Sequence, residues 1–194
     1  MSEKSRCPWA GHDPAYIRYH DTEWGMPVHD DRRQFEFLVL ESAQAGLSWL
    51  TILKRREGYR KLYEGFDAGK VALFDEDRVS RMLLDTGIIR NRAKIESSIS
   101  NARLFLDIQA SHGSFSNYIW GFNDGNQVVN HFSDISQIPA TSPLSDMISK
   151  DMKKRGFRFM GSTIVYAHLQ ATGLVNDHLV SCFRYRACMD NPVY

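Results

Sequence analysis

Leu84-Asp85-Thr86-Gly87-Ile88-Ile89-Arg90-Asn91-Arg92 places a glycine between two runs of helical periodicity, with a branched apolar pair and two arginines directly behind it. Before it, Asp75 is a candidate cap, and Val79, Met82 and Leu83 share one face of a helix that ends at Gly87. After it, Ile95, Ile99, Ala102 and Leu106 keep helical spacing from Asn91 to about Gln109, and Gly113 closes the run. Two helices therefore reverse on each other within a few residues. Glycine permits the positive φ of such a reversal. Ile88 and Ile89 bury themselves between the helices. The free amides that open the second helix can hold a phosphate without reading sequence, and Arg90 and Arg92 add charge. An ordinary turn between helices fits the same residues, so the motif alone leaves both readings open.

Moving outward, the rest of the chain is also helical in pattern. Asp31 with Gln34 resembles a capping box, followed by Phe35, Leu38, Val39 and Ser42 up to Gly46. Ser48 can cap a helix from Trp49 to about Glu57, ending near Gly58, and Asp67 is a further cap. Ser142-Pro143 opens a helix that runs through Leu144, Met147 and Ile148 to Gly156. Gly161-Ser162 opens another that ends at Gly173, and a short last helix spans Asn176 to Cys182. Gln127-Val128-Val129 is the best strand candidate. The reading is an all-α fold with irregular segments at 7–30 and 121–141.

The chain has 194 residues, 43% hydrophobic and 24% charged, which is the balance of a globular protein of one domain or of one core with a smaller appendage. No apolar run approaches the ~20 residues of a membrane helix, and the first residues carry no apolar signal core, so the default compartment is the cytosol. A formal net charge of +1 argues against sequence-blind coating of nucleic acid. Basic residues cluster at Lys54-Arg55-Arg56, at Arg90, Arg92 and Lys94, and at Lys153-Lys154-Arg155 with Arg158. Any one of these can be a solvated helix face or a local patch.

Two features could carry chemistry. The cysteines Cys7, Cys182 and Cys188 are odd in number, which disfavours a disulfide framework. Cys7 and His20 lie near one end, and His178 and Cys182, four apart, lie near the other. On a helix the latter pair would face one ion. Thiolate and imidazole suit tetrahedral Zn²⁺, and four protein ligands leave no open position, so such a site would be structural. Buried cysteines with histidines bonded to backbone are the alternative. The remaining histidines form no readable pattern. The second feature is an aromatic group with a carboxylate: Trp9, Tyr16, Tyr19, Trp24, Trp49 and Glu41. Core packing explains the aromatics, and a solvent-facing helix position explains Glu41. A buried acceptor in an aromatic pocket, suited to a flat cationic ligand, explains them together.

The stretches Tyr19-His20-Asp21-x-Glu23-Trp24-Gly25-x-Pro27 and Gln44-Ala45-Gly46-Leu47-Ser48-Trp49 resemble the DNA-3-methyladenine glycosylase I family. So do Thr86-Gly87-Ile88-Ile89-Arg90, Lys153-Lys154-Arg155-Gly156-Phe157-x-Phe159 and Gly173-Leu174-Val175-Asn176-Asp177-His178. The resemblance runs from about Cys7 to Cys182, nearly the whole chain. It implies a helix-hairpin-helix glycosylase fold acting as one unit over 1–194, with a helical core at about 31–175. A zinc-binding subregion would come from 7–30 and 176–185. It further implies that Cys7, His20, His178 and Cys182 hold one structural Zn²⁺. Gly87, Ile88, Arg90 and Arg92 are then expected on duplex phosphates, and Leu47 as an apolar probe beside the vacated base. Glu41 is expected as the catalytic carboxylate of a base pocket with Tyr16, Tyr19, Trp9, Trp24 and Trp49.

The implied reaction is excision of 3-methyladenine from alkylated duplex DNA by a cytoplasmic monomer, leaving an abasic site. The methylated base is cationic and its bond to the sugar weakened, so extraction and choice of the base matter more than a strong acid. The wider superfamily carries an Asp shortly after the hairpin. Here that segment offers only Glu96 and Asp107, neither at an obvious position. Two other readings compete: a zinc-stabilised DNA-binding or damage-sensing module without hydrolysis, and a metal-dependent hydrolase. An acidic residue among aromatics disfavours the first, and four candidate ligands disfavour the second. The tail from Phe183 to Tyr194, Cys188 included, has no assignment.

Overall fold

The computed structural model describes residues 4–189. The helices follow in the order α1 Pro14–Thr22, α2 Asp31–Gln44, α3 Trp49–Leu53, α4 Arg56–Leu62, α5 Ala68–Val71 and α6 Glu76–Leu84. Then come α7 Arg92–His112, α8 Phe115–Gly121, α9 Pro143–Arg155, α10 Ser162–Ala171 and α11 Arg184–Ala187. The fold is mostly helical, as expected. The strand candidate is real but minimal: β1 (Val128–Val129) pairs in parallel with β2 (Val175–Asn176), tying the 121–141 segment to the chain after α10.

Helix starts follow side-chain capping. Ser48, Asp67, Asp75, Asn91 and Ser142 each accept a backbone N–H of the first turn they precede. One expected cap is displaced by a residue. Asp30, not Asp31, accepts from Arg33 N at 2.9 Å. The Asp31 carboxylate instead takes the Phe115 and Ser116 amides at 2.8 Å each, capping α8 from a distant part of the chain. Gln34 likewise turns inward, donating to the Val28 carbonyl and bonding His168.

Four other expectations are corrected. The segment 7–30 is not irregular throughout, because Asp13-Pro14 starts α1 with an N-cap and a first-turn proline. The helix expected from Trp49 to Glu57 breaks after Leu53, and a new one starts at Arg56. Asn176 to Cys182 is β2 followed by turns, so His178 and Cys182 do not share a helix. The helix expected to end at Gly87 ends at Leu84, and Gly87 does not adopt a positive φ.

The reversal is crowded from two sides: a Cβ on Gly87 would lie 2.9 Å from Asp85 Oδ1 and 3.3 Å from Gly58 Cα. A Cβ on Gly58 of α4 would lie 2.2 Å from the Gly87 carbonyl oxygen. Tyr59 beside it accepts the Ile89 amide on its hydroxyl at 3.2 Å, and Ile88 is buried. The Asp85 carboxylate takes the Gly87 amide at 2.7 Å. The hairpin between α6 and α7 is therefore braced by α4. Alanine normally stabilises a helix relative to glycine by about 1 kcal/mol. Here Gly58→Ala should do the reverse and cost about 2–3 kcal/mol, because the backbone oxygen it meets cannot rotate away. Denaturant unfolding gives the sign, and a stabilised variant would contradict the bracing role.

The core runs along α2, which is buried from Gln34 to Ala43, with α7, α8 and α10 packed around it. Two carboxylates are buried on this helix, Glu36 and Glu41, and their surroundings differ completely. Glu36 is matched by Arg56 at 2.9 Å and Arg60 at 2.8 Å. Arg56 also meets Glu23 at 2.8 Å and lies over the Phe37 ring, so this network backs the α1 end that carries Tyr19 and Trp24.

Candidate functional site

Among the described residues Glu41 has no such partners. It faces a cavity of about 310 Å³, within the range of small-ligand pockets. All six residues expected to act together line it: Trp9, Tyr16, Tyr19, Trp24, Glu41 and Trp49. The first helical turn supplies Trp9, α1 supplies Tyr16 and Tyr19, the turn after α1 supplies Trp24, and Ser48 caps the turn that aims Trp49. The rings interlock, with Trp9 and Trp24 centroids 4.8 Å apart, Trp9 and Tyr16 5.1 Å, and Tyr19 and Trp49 5.4 Å.

The electrostatics of this cavity are unusual. Burial pushes the Glu41 carboxyl up to about 8, and no cation among the described residues opposes it. Burial, and then the Glu41 charge, raise the Tyr16 and Tyr19 phenols. Glu41 Oε2 and Trp49 Nε1 are both buried without a hydrogen-bond partner among the described residues. Two such atoms on one cavity are costly to leave unmatched, and they offer an acceptor and a donor to a flat polar molecule, whose positive charge the carboxylate would favour.

Five lining residues were not foreseen: Gln44, Ile135, Ile138, Ala167 and Gln170. Gln44 follows Glu41 by three residues on α2, so helical spacing could have flagged it. Ile135 and Ile138 lie in the segment expected to be irregular, and nothing local marks Ala167 and Gln170 on α10.

Cys7, His20, His178 and Cys182 converge from both ends of the chain into a buried cluster whose donor atoms all lie within 4.8 Å of one another. Separations of 3.4–3.5 Å link Cys182 Sγ to His20 Nε2 and His178 Nδ1, and Cys7 Sγ to His178 Nδ1. Tetrahedral zinc with usual Zn–S and Zn–N bonds would set these edges at about 3.5 Å. The outer nitrogens are already committed: His20 Nδ1 to Asp21 at 2.8 Å, and His178 Nε2 donating to the Trp24 carbonyl at 2.9 Å. Arg6 in turn holds the Asp21 carboxyl below its ordinary value. The Cys7 thiol and then both imidazoles draw Cys182 toward the thiolate. The donor set and its orientation fit a metal ion. Trp9 and Trp24 rest on the His20 and His178 rings at 5.1 and 4.6 Å, so this cluster buttresses one cavity wall. Cys188 is buried beside it, 3.8 Å from the Trp24 carbonyl, and is not one of the four.

The hairpin adjoins the same region. Lys94 in the first turn of α7 donates to the Ala43 and Ala45 carbonyls at 2.8 and 2.6 Å, gripping the end of α2. Gly46 then turns with φ +78° and presents Leu47 to solvent, 39% exposed, two residues before Trp49. Arg90 is exposed, whereas Arg92 pairs with Glu76 at 2.7 Å and with Glu96 at 3.4 Å. Neither Glu96 nor Asp107 lines the cavity.

Comparison with known proteins agrees with this geometry. Residues 9–185 match the model of the methyladenine glycosylase family. The DNA-3-methyladenine glycosylase 1 of Escherichia coli (strain K12) is 47% identical over 180 residues, covering 93% of this chain and 96% of the relative. A solved 3-methyladenine DNA glycosylase I superposes with a TM-score of 0.90 at 48% identity, covering 92% of this chain and 98% of the other. A variant of 3-methyladenine DNA glycosylase I, solved in complex with 3-methyladenine, also superposes with a TM-score of 0.90, at 34% identity and 93% and 97% coverage. The chain belongs to the methyladenine glycosylase family.

Proposed function

We propose that this protein is a repair glycosylase that flips 3-methyladenine out of alkylated duplex DNA and hydrolyses its N-glycosidic bond. One observation carries the reading: a buried carboxylate, Glu41, with no partner among the described residues, in an aromatic cavity of about 310 Å³. Methylation at N3 makes the base cationic while it is still attached to the sugar. A cation in this cavity supplies the counter-charge that the fold withholds from Glu41. The tryptophan and tyrosine faces add attraction for a positively charged ring. A neutral adenine gains neither.

Chemistry then asks little of an acid. The bond from the sugar to the base breaks, its electron pair neutralises the base, water adds its oxygen to the sugar carbon, and a proton leaves to solvent. Glu41 stabilises the cationic base and is the catalytic residue of this scheme, with Tyr16, Tyr19, Trp9, Trp24 and Trp49 shaping the pocket. Gly87, Ile88, Arg90 and Arg92 form the duplex-holding hairpin, and Leu47 probes the stack beside the vacated base. Cys7, His20, His178 and Cys182 hold one structural Zn²⁺ that fixes the wall formed by Trp9 and Trp24. The whole chain works as one unit, as a monomer in the cytoplasm. Among the described residues no helix is long and apolar enough to cross a membrane.

Wild-type protein incubated with methylated duplex DNA should release 3-methyladenine and leave 7-methylguanine in place. Folded, metal-loaded protein that released no base would be a binding module, and the enzyme reading would fall. A brief pulse of chelator should leave the release rate unchanged until unfolding sets in; immediate loss would point to metal-dependent hydrolysis instead.

A further inference from the structure

Gln170 lines the cavity from α10, and its amide is held in one orientation. Its Nε2 donates to Asp177 Oδ2 at 2.7 Å. Asp177 is fully buried, and the same oxygen accepts the Tyr166 hydroxyl at 2.6 Å, while its Oδ1 accepts Asn130 Nδ2 at 2.7 Å. A carboxylate gathering three donors can only accept, so the Gln170 amide must turn its NH₂ toward Asp177 and its carbonyl oxygen away. That Oε1 takes no hydrogen bond from any described residue. The backbone is fixed as well, since the Gln170 carbonyl accepts the Gly25 amide at 3.0 Å. Asp177 sits between β2 and His178, in a buried stretch that has little freedom to shift.

We propose that Gln170, oriented by Asp177, is a specificity residue that accepts a hydrogen bond from the 6-amino group of the bound base. It thereby rejects purines with an oxygen at that position, 3-methylguanine first among them. The inference rests on the glycosylase reading above and adds what the site selects. The amino group of a cationic adenine is a strong donor, and its bond to an amide oxygen is charge-assisted. A 6-oxo purine would set two acceptors against each other in a buried cavity, where unmatched polar groups are costly. The Glu41 charge alone does not supply this discrimination, because methylated guanine is cationic too. An amide free to rotate would not supply it either, because it could offer its NH₂ to an oxygen. Asp177 is therefore a positioning residue, and the selectivity lies in the pair.

The test is single-turnover release of 3-methyladenine and 3-methylguanine from duplex DNA by wild type, Gln170→Leu, Asp177→Asn and Tyr166→Phe. Wild type should favour 3-methyladenine strongly. Gln170→Leu should lose about tenfold to a hundredfold on 3-methyladenine without losing 3-methylguanine, narrowing the ratio. Asp177→Asn should narrow it too, because an amide partner lets Gln170 turn over. Tyr166→Phe removes a different donor from the same carboxylate and should leave the ratio unchanged. An unchanged ratio in Gln170→Leu overturns the proposal. A proportional loss on both bases in all three variants overturns it as well, by marking a packing role. Wild type that releases no base refutes the glycosylase reading itself, and is thereby told apart from failure of this inference.

Discussion

Glu41→Gln is expected to leave the fold intact, to raise its stability at alkaline pH, and to cut base release by about a hundredfold to a thousandfold. The first two effects follow from burial. The Glu41 carboxyl is held at about 8 in the folded protein against an ordinary value of 4.5. Below about 4.5 both folded and unfolded chains carry the proton. Between those values the unfolded chain releases it while the folded chain keeps it, so stability falls as pH rises, until the folded group ionises near 8. An amide has no proton to lose, so the variant escapes that decline, and the difference in unfolding free energy should widen from about pH 5 to about pH 8. The loss of activity has the same origin. The amide fills the same volume and can still accept a hydrogen bond, but carries no charge to meet the cationic base in a low-dielectric cavity. Unfolding curves at several pH values, beside release assays, check both halves. A variant destabilised at every pH would mean Glu41 is a structural residue.

The second large effect is expected at the cluster joining the chain ends. Cys182→Ala removes one of two thiolates from a buried four-donor set, and metal held only by the folded state contributes directly to folding free energy. Bound zinc should fall well below one ion per chain. Stability should drop by about 3–5 kcal/mol, or roughly 10 °C or more in Tm for a chain of this size. The consequence should also reach the cavity. Trp24 offers its carbonyl to His178 and meets that ring edge to face, as Trp9 meets His20. Tryptophan fluorescence and affinity for free 3-methyladenine should therefore change with metal loss. Prolonged chelation of wild type should reproduce all three changes. Unchanged zinc content in Cys182→Ala would remove Cys182 from the ligand set.

What the sequence made legible was the local chemistry. Ser48, Asp67, Asp75, Asn91 and Ser142 announce helix starts because a short polar side chain can take an orphan amide there. The aromatic group and Glu41 were readable as a set by their chemical types and by the resemblance that joined them. What stayed hidden depends on distant partners. Asp31 reads as a cap for its own helix, but its carboxylate meets α8 more than eighty residues away. Gly87 reads as a turn glycine, whereas the tightest constraint falls on Gly58, on another helix, which the Gly87 carbonyl approaches. His178 and Cys182 meet in space without the helix that their spacing suggested.

The candidate site divides the same way. Glu36 and Glu41 are both acids buried on α2, and nothing in their local sequence separates them. Only the fold brings Arg56 and Arg60 to one and an aromatic cavity to the other. Gln170 is marked by Asp177, seven residues on, through a carboxylate that the turn after β2 places beneath it. Lys94 reads as one more charge behind the hairpin, and its use at the end of α2 needs the packing of α7 against that helix.

A buried carboxylate that waits for a cation should show itself most directly in the pH dependence of kcat/KM. The measurement is release of 3-methyladenine from methylated duplex DNA, by wild type and Glu41→Gln side by side, from about pH 6 to about pH 9. Because this ratio reports the free enzyme, wild type should climb about tenfold per pH unit and level off near pH 8, where Glu41 ionises. The variant should be slow and flat throughout. A variant that releases the base at near wild-type rate with the same profile would contradict the account, whatever else the cavity binds.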